Sequence, residues 1–422
     1  MRHFISGLTP QFLKNYYHRA CALVANVYFG FPSQKLVVVG VTGTNGKTTT
    51  TQMIGAILRK ANIKVAVAST IDFWMGDENR INTSKFTTTS AWKLQKFLHE
   101  AVERGMTHAV IETSSHALDQ SRVWGTRYEI AVITNVTREH LDYHKTMECY
   151  RLAKKKLFDM SHYAVVNADM EGPEYFAKAH MQEGRAVTYS TKNINADLYA
   201  KGIRLNFNKT EFRVGDEEYI LRVPGIFNIE NALAAIAVAK LLQVEAGLIR
   251  EALGELVGIP GRMECLESSD GVDIIIDYAV TPDAFIKLYD SVRPLKIPGT
   301  KIIHVFGACG ERDRGKRPML AAIASEYADT IILTNEDPYY EDGEQILNDI
   351  EAGLGKTRKY EYLRIYDRKE AITQALKMAE RGDIVLITGK GAETSMAIGA
   401  KHIPWSERTV IEEILTELEN EA

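Results

Sequence analysis

Along the chain, short unbroken apolar runs alternate with longer stretches in which apolar positions recur every third or fourth residue. The runs read as strands buried on both faces, and the longer recurrence as helices. The pattern predicts strands at 36 to 42, 64 to 70, 107 to 112, 130 to 135 and 163 to 167. Helices are predicted at about 46 to 60, 90 to 104 and 146 to 160. Such alternation builds a mostly parallel sheet covered by helices, so the fold class is α/β. Between 186 and 223, short alternating segments such as TEFRV and EYILRV predict a small antiparallel sheet, followed by helices at about 227 to 242 and 246 to 256.

The segment VGIPGRME, residues 257 to 264, carries two glycines and a proline and marks a boundary. Beyond it VDIIIDYA, KIIHVFGA, TIILTN and DIVLITG predict four parallel strands of a second, Rossmann-like α/β unit. Three regions result: a short helical segment at 1–34, a central unit at 35–260 and a C-terminal unit at 261–422. In the first, Leu8, Phe12, Tyr16 or Leu13, Ala20, Leu23 or Val24, and Val27 recur at helical spacing. They predict an amphipathic helix docked on the central unit, with a helix lying in a membrane interface as the alternative. The apolar run at 20 to 31 is too short to span a bilayer.

Composition changes little in this picture. With 422 residues, a formal charge of −4 and a quarter of the residues charged, the chain is a multi-unit globular protein with no bulk positive charge for nucleic acid. Cys21, Cys149, Cys265 and Cys309 lie far apart, which fits a reducing cytoplasm and suggests neither zinc knuckle nor disulfide framework. The chain is read as a monomer acting on small molecules.

Chemistry concentrates at strand ends. The first strand runs into GTNGKTTT, a glycine turn opening a helix. Gly43, Thr44, Asn45 and Gly46 can approach phosphate oxygens, Lys47 supplies a charge, and Thr48 and Thr49 begin the helix, with the Thr48 hydroxyl available to Mg²⁺. Only two residues separate the glycines, unlike the common GxxxxGK[ST] loop. Strand 107 to 112 ends in ETSSH, placing Glu112 where it can share a Mg²⁺ with Thr48. The next ends in NVTREHLDYH, where His140, Asp142 and His144 are either zinc ligands or capping and core groups. The three lysines of YRLAKKKLF read as a solvated face.

GTNGKTTT, ETSSH, NVTREHLDYH, GIFNIENALAA, PGRME, DYAVTPDA, GACGERDRGKRP and GKGAE follow one another in an order that resembles the Mur ligases, most closely the MurE type, from about Lys35 to the C-terminus. The resemblance implies an ATP-dependent amide-bond ligase of peptidoglycan synthesis, which activates a carboxylate as an acyl phosphate for attack by an amino acid. It implies Lys47 on the phosphates, Thr48 with Glu112 on one Mg²⁺, and His140 and a carbamylated Lys154 at a second metal. It further implies Asn231 at the adenine, Arg262 at the phosphates and Asp277 at the ribose. Thr88, Thr89, Ser115 and Arg122 fall at the acceptor; Arg312, Asp337, Gly389 and Glu393 fall at the incoming amino acid.

Three departures qualify the match. The family's UDP-gripping N-terminal domain is reduced to a remnant, so a free, polymeric or lipid-linked acceptor is the alternative substrate. Val280 and Ala392 replace family histidines, which leaves a non-catalytic ATP-binding subunit as a third reading. Tyr339 stands where the diaminopimelate-adding enzymes have a carboxylate-clamping arginine, which disfavours meso-diaminopimelate and leaves lysine or another amino acid.

Overall fold

The computed structural model describes residues 11–82, 86–207, 209–355 and 360–421. The central sheet holds β1 (Val37–Thr42), β2 (Val65–Ala68), β3 (Asp72–Met75), β4 (Glu78–Ile81), β5 (His108–Glu112), β6 (Tyr128–Ile133), β7 (Ser161–Asn167), β8 (Ala186–Ser190), β9 (Leu198–Leu205), β10 (Thr210–Val214) and β11 (Glu217–Leu221). Their spatial order is β11-β10-β9-β8-β7-β6-β1-β5-β2-β3-β4. Strands β2, β5, β1, β6, β7, β8 and β9 run parallel, which puts β1 in the middle with β5 and β6 as neighbours. The carboxyl ends of β1, β5 and β6 therefore meet.

The expected antiparallel piece exists as β9 to β11, but it is joined edge-on to the parallel sheet through Tyr189–Leu198 and Ser190–Tyr199. The β3–β4 hairpin was not expected. Its outer strand, Glu-Asn-Arg-Ile, is exposed throughout and lacks the alternation that marks a half-buried strand.

The second sheet is ordered β12 (Glu264–Glu267), β13 (Asp273–Asp277), β17 (Ile384–Thr388), β14 (Ile302–Phe306), β15 (Thr330–Leu333), β16 (Glu361–Arg364). The four strands expected from the apolar runs are its parallel centre, flanked by antiparallel β12 and parallel β16. A small hairpin, β18 (Ser395–Ile398) with β19 (Lys401–Pro404), follows.

The N-terminal segment forms the helix Gln11–Tyr28, docked on the helix Ala91–Glu103 through Tyr28 and Phe29 against Trp92, at 4.9 and 5.0 Å between ring centroids. Its orientation corrects the expectation. Ala22, Ala25 and Asn26 are fully buried, whereas Tyr16, Ala20, Leu23, Val24 and Val27 are exposed. Small side chains allow the close approach, and Asn26 Nδ2 donates to the Trp124 carbonyl at 2.9 Å. Leu8, Phe12 and Leu13 lie outside the residues whose side chains are described.

Candidate functional site

The glycine loop forms because β1, buried from Val38 onward, must turn into the helix Lys47–Lys60 with no room for side chains. A Cβ on Gly43 would sit 1.8 Å from Thr134 Oγ1, and one on Gly46 would sit 2.2 Å from Asn231 Oδ1. Gly46 also adopts φ 82°, the left-handed region that glycine enters without cost. The loop is tied down from the end of β6. Thr134 Oγ1 donates to the Asn45 carbonyl at 2.5 Å, and Asn45 N donates to Asn135 Oδ1 at 2.9 Å. The Thr44 hydroxyl meets the Tyr150 hydroxyl at 3.1 Å.

Below the loop, Thr48 Oγ1 lies 3.1 Å from both oxygens of Glu112, which also accepts from Thr70 N at 2.7 Å and Thr70 Oγ1 at 2.9 Å. Thr49 is buried in the same helical turn, and Asn231 is buried against the loop, accepting from Thr50 Oγ1 at 3.3 Å. Lys47 Nζ donates to the Thr44 carbonyl at 2.8 Å. Burial pushes its pKa down, opposed by Glu112 and reinforced by Arg262.

Lys154 separates from its two neighbours. The helix Met147–Phe158 buries Tyr150, Ala153, Lys154, Leu157 and Phe158, one helical face. Lys155 and Lys156 instead pair with Asp159 and Asp119 nearer the surface. Lys154 Nζ donates to the Gly43 carbonyl at 2.6 Å and sits 4.4 Å from the Tyr150 ring centroid. Burial first and Lys47 second hold its pKa well below the usual ammonium range. His140 stands in a ring cluster with His116, at 4.7 Å, and Tyr150, at 6.1 Å. Burial, His116 and the two lysines hold its pKa down to about 2, so the imidazole is neutral. Among the described residues no group of three His, Cys, Asp or Glu side chains, His140, Asp142 and His144 included, is placed to hold a metal ion. His144 instead bonds Ser115 Oγ through Nε2 at 3.1 Å, and Asp142 is exposed.

Next to Glu112, buried Thr88 donates from Oγ1 to the Glu112 carbonyl and accepts from Ser114 N, both at 2.9 Å. Arg122 Nη1 grips the carbonyls of Thr88 at 2.5 Å and Thr89 at 3.3 Å. Among the described residues its buried Nε has no partner.

The second sheet brings its own strand ends to the same place. Arg262 Nη2 reaches Thr48 Oγ1 at 3.4 Å while its guanidinium lies over the Tyr278 ring, and Asn45 Nδ2 donates to Asp283 Oδ2 at 2.8 Å. Asp277 accepts from Met263 N at 2.7 Å, its pKa raised by burial and restrained by Arg262. Gly389, at φ 113°, donates to the Asp277 carbonyl at 3.2 Å. Asp337 and Glu393 are drawn together by Lys390, fully buried, whose Nζ donates to Asp337 Oδ2 at 2.8 Å and to Glu393. Arg312 is the outlier, exposed and stacked loosely on Tyr339, its guanidinium 5.9 Å from the ring centroid.

Sequence reasoning missed Lys390, Tyr150, His116 and Glu139. Glu139 is a largely buried carboxylate 4.0 Å from Lys316 and electrostatically coupled to Lys47. All four sit inside segments already singled out, so membership of a buried helix face or strand end was the available signal.

Comparison with known proteins places the two sheets in a known family. Residues 41–239 match the Mur ligase middle domain, and residues 261–391 match the Mur ligase, glutamate ligase domain. The UDP-N-acetylmuramoyl-L-alanyl-D-glutamate–2,6-diaminopimelate ligase of Caldanaerobacter subterraneus subsp. tengcongensis is 39% identical over 405 residues, covering 95% of this chain and 82% of the relative. The UDP-N-acetylmuramyl-tripeptide synthetase of Roseiflexus sp. is 39% identical over 421 residues, with coverages of 94% and 82%. A solved structure of a UDP-N-acetylmuramoyl-L-alanyl-D-glutamate–2,6-diaminopimelate ligase superposes with a TM-score of 0.64 at 31% identity, over 91% of this chain and 79% of the other.

Proposed function

The chain belongs to the Mur ligase family, and from that premise we propose that it is an ATP-dependent, ADP-forming ligase of the MurE type, joining an amino acid to the peptide carboxylate of a UDP-N-acetylmuramoyl acceptor. The observation that carries the reading is the convergence of Lys47, Lys154 and the Thr48–Glu112 pair on one glycine loop. An acceptor carboxylate oxygen attacks the γ-phosphorus and ADP leaves; the amine nitrogen of the incoming amino acid then attacks the acyl carbon, inorganic phosphate leaves, and the nitrogen loses a proton to give the amide.

Each side chain answers a requirement of that sequence. Lys47 and Arg262 balance charge on the transferring phosphoryl group, and the loop amides and helix N-terminus hold the remaining oxygens. Thr48 and Glu112 present three oxygens within hydrogen-bond range of one another, a donor set suited to Mg²⁺, which when bound neutralises the phosphates. Lys154 suits carbamylation: its lowered pKa favours the neutral amine that adds carbon dioxide, and the anion formed would turn repulsion from Lys47 into attraction. Arg122, Thr88, Thr89 and Ser115 line the acceptor's approach. Asp337 and Glu393 are already engaged by Lys390, and Tyr339 supplies no cation where a clamping arginine would stand, so a side chain ending in a carboxylate is disfavoured at the amino-acid end.

The test combines the protein, ATP, Mg²⁺, UDP-MurNAc-dipeptide and a panel of amino acids. Phosphate release that needs both acceptor and amine is expected. Absence of turnover with every amino acid overturns the UDP-acceptor reading.

A further inference from the structure

Among the described side chains of the helix Gln11–Tyr28, most of the larger ones face away from the protein. Tyr16, Ala20, Leu23, Val24 and Val27 follow the spacing i, i+4, i+7, i+8, i+11, with Tyr17 and Tyr28 beside them. At about 100° per residue they share one arc of about 140°. Tyr16, Leu23, Val24, Val27 and Tyr28 are 45% to 70% exposed, and Trp92, 41% exposed, extends the patch from the neighbouring helix. The opposite face is fixed by the buried Ala22, Ala25 and Asn26, so the arc cannot turn inward without undoing the docking.

Charge indicates what covers it. Residues 11 to 28 contain Lys14 and Arg19 and no Asp or Glu. On the helical wheel, Lys14 and Arg19 lie about 40° beyond opposite edges of the arc. Apolar residues in the middle, tyrosines among them and cations on both flanks match the depth profile of a bilayer surface: acyl boundary, headgroup region, lipid phosphate. A second copy of the same face would instead oppose cation to cation across the seam. We propose that this face seats the protein on an anionic lipid surface, with the helix lying in the plane of the interface. No described helix is long and apolar enough to cross a membrane. The seat adjoins the acceptor side, because the helix it packs against is capped by Ser90, the residue after Thr88 and Thr89.

The experiment uses the full chain and needs neither ATP nor acceptor, so it is independent of the ligase reading. The protein is sedimented with vesicles of phosphatidylcholine plus phosphatidylglycerol and with phosphatidylcholine alone, at low and high salt. Binding is expected to the anionic vesicles, weakened by salt and by omission of the anionic lipid. The double variant Leu23→Glu, Val27→Glu alters two exposed positions, so its thermal unfolding should match wild type while its vesicle binding falls at least about tenfold. Failure of the wild type to bind anionic vesicles overturns the proposal. So does a double variant that binds equally well, or a wild-type dimer in analytical ultracentrifugation that the double variant dissociates, since a second copy would then cover the face.

Discussion

Two lysines, Lys154 beside the end of the central sheet and Lys390 at the end of the second, are both almost completely removed from solvent, yet their surroundings push their pKa values in opposite directions. Lys154 has a carbonyl, an aromatic face and another lysine around it, and its pKa falls well below the usual range. Lys390 has Asp337 and Glu393, and its pKa is raised despite the same burial. Desolvation alone disfavours the ammonium in both places, so the carboxylates decide. A buried amine whose pKa is lowered gives up its proton more readily and is the more reactive of the two; an ammonium held between carboxylates is a fixed part of the framework. The two ends of the site are thereby divided into one that is chemically adjustable and one that is electrostatically set.

Removing each lysine separates the two roles. Lys154→Met should lower kcat by about 10⁴, near 5.4 kcal/mol of barrier, while leaving thermal stability unchanged or raised, because a buried amine bonded to the Gly43 carbonyl but with no carboxylate against it disappears. Steady-state phosphate release and calorimetry on the same preparation check both halves. In carbon-dioxide-free buffer, the wild type should also gain stability as pH rises from the lowered native pKa of Lys154 towards 10.5, since the unfolded chain binds the proton that the folded chain refuses. The variant should lack that gain. Lys390→Met should do the reverse, costing about 4 kcal/mol of stability by removing the cation shared by buried Asp337 and partly exposed Glu393. Its raised native pKa means that the wild-type contribution is complete below 10.5 and is lost only as pH climbs through the native value. Denaturant melts near neutral pH read it directly.

Glu336 sharpens the comparison from the acidic side. Burial raises its pKa to about 7 against the pull of Lys390 and Arg368, and among the described residues one of its oxygens has no partner. The folded protein keeps a proton that the unfolded chain releases from about 4.5 upward, so stability should fall between that pH and about 7. The loss amounts to about 3 kcal/mol. Glu336→Gln should flatten this part of a stability–pH curve. A wild-type curve already flat across the window would show that the carboxylate is ionised in the fold.

Much of this arrangement was legible in the residues. Unbroken apolar runs located β1, β5, β6 and β7, and the glycine turn located the phosphate loop, because both depend on short-range patterns. Lys154 was visible only through family resemblance when KKK was treated as a unit. Yet it falls on the same helical face as Tyr150, Ala153 and Leu157, and that spacing would have marked it as inward-pointing. Lys390 could not be found this way, since its partner Asp337 lies 53 residues away and only the β14–β15–β17 packing brings them together. The N-terminal helix was misoriented for a related reason: hydrophobicity ranked Leu23 and Val27 as the docking face. Close approach and one asparagine hydrogen bond selected Ala22, Ala25 and Asn26 instead.

The smallest expected effect concerns selectivity at the electrostatically set end. Tyr339 adopts φ 51°, donates its N–H to the Ala397 carbonyl at 3.2 Å and has Arg312 against its ring. Its backbone is therefore already in the left-handed region, and exchanging one non-glycine side chain for another adds no new backbone strain. Tyr339→Arg places a guanidinium where the native ring offers only a weak polar edge, and a guanidinium can clamp a carboxylate through two parallel hydrogen bonds. Such a contact, made at a partly exposed position and opposed by Asp337 nearby, should shift kcat/KM for diaminopimelate relative to lysine by about tenfold, or about 1.4 kcal/mol. Competition between the two amino acids in one reaction, read by mass of the products, measures that ratio directly. An unchanged ratio would mean that the side-chain end of the amino acid does not reach Tyr339, and that selectivity resides wholly with Asp337, Lys390 and Glu393.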